Sequence, residues 1–270
     1  MAAPTTQELY NLTGKLALVT GGARGLGFDM ATALAEAGAE IAITSRTLEN
    51  AQTSAQRISK DTDRRVKGFA CDVRDEEQVE KLIKDVLDSF GHIDILVNNA
   101  GNVISTPENA AMEVRPLEQW NLTIDVNLTG VFLCSKHVVA KAMKPANNGV
   151  IINIGSAAGM VGKDRRHYRG TDMGGATIDY HAAKGGVISM TRDMAVYLTL
   201  YNIRVNCISP GGFWRGHSET FTKQYSYSVP MGRMGKDGKE MKGPVVFLAS
   251  EASSYVTGIN LPVDGGLTAW

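Results

Sequence analysis

The sequence predicts an α/β fold of doubly wound type, a parallel sheet covered by helices on both faces. Three observations predict it. Short apolar segments alternate with amphipathic ones throughout, those short segments are apolar at consecutive positions, and no Pro/Gly/Ser-rich linker or internal repeat divides the 270 residues. A strand that is apolar on both sides is one covered on both sides, as in a parallel sheet with helical crossovers. One domain is therefore expected.

Each element follows from its local pattern. Leu16-Ala17-Leu18-Val19 is a buried-strand run, closed by Thr20-Gly21-Gly22. A helix follows with Leu26, Met30, Ala33, Leu34 and Ala37 on one stripe, stopped at Gly38. Ile41-Ala42-Ile43 is the second strand, residues 47–60 a polar helix, and residues 66–71 the third strand. The next helix is the clearest: Val79, Leu82, Ile83, Val86, Leu87 and Phe90 fall on one helical face, with charges between them. Strands at 93–97 and 150–154 flank a long helical region, 118–144. A helix at 179–201 and strands at 205–208 and 259–263 complete the pattern. Crossovers between parallel strands are right-handed and ligands sit at the carboxyl ends of the strands, so function is sought in the turns that follow them.

Composition excludes several classes. Lys plus Arg and Asp plus Glu are 28 each, so the formal net charge is zero and no chain-wide basic field exists for nucleic acid. Cys71, Cys134 and Cys207 stand far apart without metal-ligand spacing, which predicts buried small hydrophobes and neither a disulfide framework nor a metal site. No leader pattern opens the chain, and no run of about 18 apolar residues suits a membrane span, so a soluble cytoplasmic protein is expected. Glycine is unusually frequent, 29 against 8 prolines, which suggests tight turns or close approach to a ligand.

The first such cluster is Thr20-Gly21-Gly22-Ala23-Arg24-Gly25-Leu26-Gly27, set between the first strand and the first helix. Gly21, Gly25, Leu26 and Gly27 there suit a dinucleotide, whose pyrophosphate passes close to the backbone and meets the helix amino end. An acidic residue after the second strand would hold the ribose hydroxyls of NAD. This chain instead has Thr44-Ser45-Arg46, and Arg24 stands inside the loop. Two guanidiniums suit a 2′-phosphate, so NADP(H) is preferred over NAD(H). Asp72, beside Val73, is a candidate acceptor for the adenine amino group or, alternatively, a helix cap. Asn98-Asn99-Ala100-Gly101 leaves room for a cofactor, or ties strand ends together through its asparagines.

Tyr180 and Lys184 lie four apart on one helical face. A free phenol titrates near 10, and a nearby cation favours the phenolate, which would make Tyr180 a usable general base.

With these motifs the chain resembles the short-chain dehydrogenase/reductase family from about Gly14 to Trp270. The resemblance is carried by TGGARGLG at 20–27, Asp72-Val73, Asn98 to Gly101, Asn127 in DVNLTG, Ser156 in NIGSAAG, and Tyr180 with Lys184. Arg204-Val205-Asn206 leading to Pro210-Gly211, and Val263-Asp264-Gly265-Gly266, continue it. It implies a Rossmann-like subunit with seven parallel strands, assembled as a homotetramer, with residues 1–13 as an extension and 14–270 as the domain. It also implies roles: Tyr180 exchanges a proton with the substrate oxygen, Lys184 holds the nicotinamide ribose, Ser156 stabilises charge on that oxygen, and Asn127 anchors a water leading to Lys184. Asn99, Ala100, Gly101, Pro210 and Gly211 are implied cofactor contacts.

Two departures bear on substrate. The family separates its serine and tyrosine by about a dozen residues, whereas Ser156 and Tyr180 are 24 apart. The insertion, 160–176, is locally basic, and Arg165 and Arg166 are candidate ligands for an anionic substrate, with a subunit contact or solvated loop as the alternative. Tyr168 is not the catalytic phenol, since position 172 is Asp and not Lys. Second, the threonine that the family often carries after Pro-Gly is missing here, so its contact comes from backbone or is absent. Residues 212–240 are expected to form a polar, aromatic lid in which Arg215 and His217 would add to a basic pocket, with a plain surface helix pair as the alternative. The chain looks most like gluconate 5-dehydrogenase-type enzymes, which implies interconversion of a secondary alcohol and a ketone on an acidic sugar-derived substrate. The alternatives are a 3-oxoacyl-carrier-protein reductase and a non-catalytic nucleotide-sensing subunit.

Overall fold

The computed structural model describes residues 3–103 and 105–270. Strands β1 (Leu16–Val19), β2 (Glu40–Ser45), β3 (Val66–Ala70), β4 (Ile95–Asn98), β5 (Gly149–Ile154) and β6 (Ile203–Pro210) are followed by β7 (Phe213–Trp214), β8 (Gly235–Lys236) and β9 (Asn260–Val263). Seven of them form one parallel sheet in the order β3-β2-β1-β4-β5-β6-β9, and β7 pairs with β8 separately. The order reverses between β1 and β4, which opens a crevice at their carboxyl ends.

The helices are α1 (Thr6–Leu9), α2 (Gly25–Glu36), α3 (Leu48–Thr62), α4 (Glu76–Phe90), α5 (Leu117–Ile124), α6 (Gly130–Val138), α7 (Lys144–Ala146), α8 (Ile178–Leu198), α9 (Glu219–Tyr227) and α10 (Lys242–Ala249). They cover the sheet on both faces. Ala17 and Val19 of β1 join a core with α2, α3 and α10, while Leu16 and Leu18 join a core with α4, α6 and α8. That division is why β1 is apolar at every position. Each fully buried leucine or isoleucine contributes roughly 1.5–3 kcal/mol relative to exposure. α4 has sharp ends: Asp75 accepts from Glu77 N and Gln78 N at its start, and Gly91 ends it at φ +86°.

Some expectations needed correction. The long helical region is three helices joined by π turns, Asp125–Thr129 and Val139–Met143. α10 was not anticipated, because KGPVVFLA is apolar without a 3.6-residue stripe; it packs directly on α2. The expected extension, 1–13, contains α1 and delivers Leu12 into the core at 2% exposure. The three cysteines are buried and unpaired. Among the described residues, no helix is long and apolar enough to cross a membrane.

Candidate active site

A cleft of about 2040 Å³ opens at the carboxyl ends of the strands. An ordinary small-molecule pocket holds about 300–1,000 Å³, so this one has room for a dinucleotide and a substrate together. At one end lies the glycine loop. Gly21 and Gly25 adopt φ of +62° and +55°, where a side chain is strained. A Cβ on Gly27 would lie 2.4 Å from both Asn99 Nδ2 and Gly21 O. These positions leave a bare backbone cradle ending at the amino end of α2, and the residues present fit a pyrophosphate. Asn99 holds the cradle by donating to Thr20 O and Gly21 O at 2.9 and 3.1 Å. Asn98 turns inward, donating to Ser135 Oγ and Asn153 Oδ1, each at 2.9 Å. The neighbouring asparagines therefore differ: one braces the loop, the other ties the strands.

Ser45, Arg46 and Arg24 line the adjoining part of the cleft, with no carboxylate at the end of β2. Asp72, Val73 and Ala100 line it too. Asp72 is not a helix cap, since Asp75 caps α4. Its carboxylate is instead gripped by Arg74, with Nη2 to Oδ2 at 2.5 Å, and this hydrogen bond holds Asp72 below the usual carboxylate range. Arg74 was not anticipated, although it is a third guanidinium lining the cleft. The lining carries seven basic side chains and only two acidic ones, a local excess that the chain-wide balance conceals.

Farther in stand Ser156, Tyr180, Lys184 and Asn127, all lining the same cleft. Tyr180 and Lys184 come from the first turns of α8, and Ser156 follows β5, where its Oγ also accepts from Ala158 N at 3.1 Å. Lys184 is buried and donates to Ile154 O at 2.8 Å, with Nζ 5.7 Å from the Tyr180 ring centre. Asn127 lies in the first π turn, where Gly130 N bonds back to Asp125 O. Its Nδ2 donates to Thr123 O and Asn102 O at 3.0 and 2.7 Å, and Asn102 N donates to its Oδ1 at 3.3 Å. Gly101 is wedged between these groups, since a Cβ there would lie 2.9 Å from Asn127 Oδ1 and 3.6 Å from Lys184 Nζ.

The molecule's likeness to known proteins agrees with this geometry. Residues 21–268 match the family model described as enoyl-(acyl carrier protein) reductase. A 3-oxoacyl-[acyl-carrier-protein] reductase from Vibrio cholerae is 37% identical over 261 residues, 95% of this chain and 98% of the relative. The crystal structure of a short-chain type dehydrogenase/reductase from Mycobacterium marinum matches with a TM-score of 0.88 at 34% identity, covering 98% of this chain and 100% of that one. The chain belongs to the short-chain dehydrogenase/reductase family. A gluconate 5-dehydrogenase from Burkholderia cenocepacia J2315, crystallised in complex with NADP and tartrate, matches with a TM-score of 0.87 at 33% identity, covering 98% and 100%. As a short-chain dehydrogenase/reductase the protein is an oxidoreductase of alcohols and ketones that uses a nicotinamide cofactor.

The electrostatics of this dehydrogenase differ from the expectation that a neighbouring cation brings Tyr180 down toward neutrality. Burial pushes the Tyr180 phenol up, only partly offset by a hydrogen bond with Ser156. Lys184 is itself lowered to about 8 by burial, and its ammonium is directed at Ile154 O. In the described structure the phenol is therefore protonated at neutral pH.

The insertion lies elsewhere than expected. Arg165 and Arg166 are exposed and neither lines the cleft; Arg166 is paired with Asp164 at 2.8 Å. The segment instead packs onto the lid. Tyr168 and Met173 join Phe221, Tyr225 and Val229 in a small core, and His167 hydrogen bonds with Ser228 Oγ at 2.7 Å. Lys163 donates to Gly174 O and stands 4.5 Å over the Tyr168 ring. The lid is anchored in turn by Gly212 N, which donates to Tyr225 OH at 2.5 Å, close to Pro210 and Gly211 in the cleft lining. His217 does not line the cleft; its ring sits 5.2 Å from that of Phe221, and its Nδ1 accepts from Arg215 N. Arg215 does line it, but at the glycine-loop end.

Two further features carried no local signal. Thr222, on α9, lines the cleft, and its buried hydroxyl has no hydrogen-bond partner among the described residues. Arg115 and Asp179 form an ion pair at 2.5 Å with side-chain exposures of 3% and 0%, joining the segment before α5 to the turn that carries Tyr180. Positions 64 apart give no pattern to read.

Proposed function

We propose that this enzyme prefers NADP(H) over NAD(H) and interconverts a secondary alcohol and a ketone on a polar, acidic, sugar-derived substrate. The observation that carries the reading is the charge of the cleft: Arg46 follows β2, Arg24 lines the same cleft, and no carboxylate stands at the end of β2 to select NAD. A 2′-phosphate is the anion that Arg24 and Arg46 would hold, while Arg74 stays on Asp72. The acidic substrate is supported by the structural likeness to the gluconate 5-dehydrogenase crystallised in complex with NADP and tartrate. The exposed positions of Arg165 and Arg166 move the substrate contact from the insertion to the lid side, where Arg233 lines the cleft.

A nicotinamide held in this cleft would supply or accept the hydride. Tyr180, protonated at neutral pH, donates its phenolic proton to the carbonyl oxygen as that oxygen gains charge. The Ser156 hydroxyl donates a second hydrogen bond to the same oxygen. Lys184 would hold the nicotinamide ribose, and its charge stabilises the phenolate left behind. Asn127 shapes the wall behind Lys184 and orients the water through which the phenol is reprotonated. A homotetramer remains the expected assembly.

A second reading, a 3-oxoacyl-carrier-protein reductase, is favoured by the Vibrio cholerae relative. The two separate in one assay series. Initial rates with NADPH and with NADH are measured over keto-acids, keto-sugars, uronate-derived ketones and acetoacetyl thioester. Higher kcat/KM on the acidic keto-sugars with NADPH is expected. A thioester preference selects the second reading, and NADH exceeding NADPH overturns the role given to Arg24 and Arg46.

A further inference from the structure

The guanidinium of Arg215 stands in an unusual place for a lid residue. A Cβ on Gly25 would lie 3.0, 3.1 and 3.2 Å from its Nη2, Nη1 and Cζ, so the fork end of the side chain faces the bare backbone at the start of α2. The same face of the loop is where a pyrophosphate would pass. Arg215 Nε donates to Asp237 Oδ2 at 2.7 Å, whereas Nη1 and Nη2 have no hydrogen-bond partner among the described residues. Two charged donors thus lie beside the anion cradle on a side chain that is 43% exposed and free to meet a ligand.

The surrounding chain explains how the residue is brought there. β7 pairs with β8, placing Trp214 beside Lys236 and Arg215 near Asp237. Gly238 N donates to Asp29 Oδ2 at 2.7 Å, pinning the loop after β8 against α2. The lid therefore crosses the glycine loop, and Arg215 and Asp237 both line the cleft there.

We infer that Arg215 is a pyrophosphate-binding residue contributed by the lid, whose Nη groups hold the cofactor's phosphates while Nε stays on Asp237. This rests on the nicotinamide-enzyme reading but not on the preference for NADP(H). It differs from a substrate-binding role, because the guanidinium lies at the glycine loop and not beside Tyr180. Asp237 orients the guanidinium, at the cost of placing a second anion near the phosphates.

The test is equilibrium binding. Dissociation constants for NADPH and NADH are measured by fluorescence titration for the native protein, R215A, R215K and D237N, with 2′-AMP as a competitor that lacks the pyrophosphate. R215A should weaken NADPH and NADH by the same factor, about 10- to 100-fold, the range of a charge-assisted hydrogen bond pair. It should leave 2′-AMP binding and the ketone KM at saturating cofactor within twofold, and R215K should recover part of the loss. D237N should bind NADPH as tightly as the native protein or more so. NADPH binding unchanged in R215A overturns the inference, as does a raised ketone KM with unchanged cofactor binding. D237N weakening NADPH as much as R215A also overturns it, since the pair would then act only as a strap. Loss of NADP(H) preference in R24A and R46A is a separate readout, so failure of the two readings is distinguishable.

Discussion

Replacing Asp179 by alanine would remove a buried carboxylate that accepts two hydrogen bonds from Arg115. Arg115 gives Nε and Nη2 to Asp179 Oδ2 at 3.1 and 2.5 Å, Nη1 to Gln119 Oε1 at 2.6 Å and Nη2 to Thr123 Oγ1 at 3.3 Å. The pair is buried, with 3% and 0% side-chain exposure, and breaking such a pair costs about 3–5 kcal/mol. At roughly 2–4 °C per kcal/mol for a chain of this size, Tm should fall by about 6–20 °C. Burial acts to raise the Asp179 carboxyl, but hydrogen bonds from Arg115, Thr177 and Thr123 and the Arg115 charge outweigh it and leave it lowered. The sign follows: the folded state binds the proton less tightly than the unfolded chain. The carboxylate's contribution is therefore full above the unfolded value of about 3.9 and is lost as pH falls through the folded one. The deficit of D179A should thus be constant from about pH 5 to 8 and shrink in acid. Urea denaturation followed by circular dichroism, at one fixed protein concentration, measures it. R115M/D179L, apolar and similar in volume, should be more stable than either single variant. Because Asp179 precedes Tyr180 in the first turn of α8, kcat should also drop, by about 10- to 100-fold. A loss below 1 kcal/mol in D179A, or strict additivity in the double variant, would refute the reasoning.

Four further outcomes are expected. In the reduction direction, kcat should decline as pH rises through about 8, where Lys184 loses its charge, because Tyr180 stays protonated well above that; a pH–rate profile with its alkaline limb above 10 would contradict this. Y180F should lower kcat by about 10²- to 10⁴-fold at every pH and leave the cofactor dissociation constant unchanged. G27A places a Cβ 2.4 Å from Asn99 Nδ2 and Gly21 O, so NADPH titration should show a large loss of affinity, and retained affinity would count against the cradle. Y225F removes the acceptor of Gly212 N and should destabilise the lid by about 1–3 kcal/mol, read as faster proteolysis within 212–240.

Much of the architecture was legible because its signals are local. The stripe from Val79 to Phe90 fixes α4 by spacing alone, and four consecutive apolar residues at 16–19 mark β1 as covered on both faces. The glycine loop and the Tyr180–Lys184 spacing were legible for the same reason, since the backbone turn and the shared helical face are set by neighbours. α10 was not, because a helix packed among apolar neighbours loses the polar face that would reveal it. The π turn holding Asn127 left no mark either: a ladder shifted by one residue is decided by what the freed carbonyl meets, here the Asn127 side chain itself.

The sequence by itself determined the fold class and pointed to the strand ends, where the candidate groups stand together in one cleft. Only the tertiary structure decided their company. It turned the insertion's aromatics onto α9 and left Arg165 and Arg166 outside the cleft, brought Arg215 across to Gly25, and joined Arg115 to Asp179. It also showed that a chain of zero net charge lines its cleft with seven cations against two anions. The reason is physical: helix and strand periodicities are written over a few residues, whereas a field or a buried ion pair depends on which distant segments pack together.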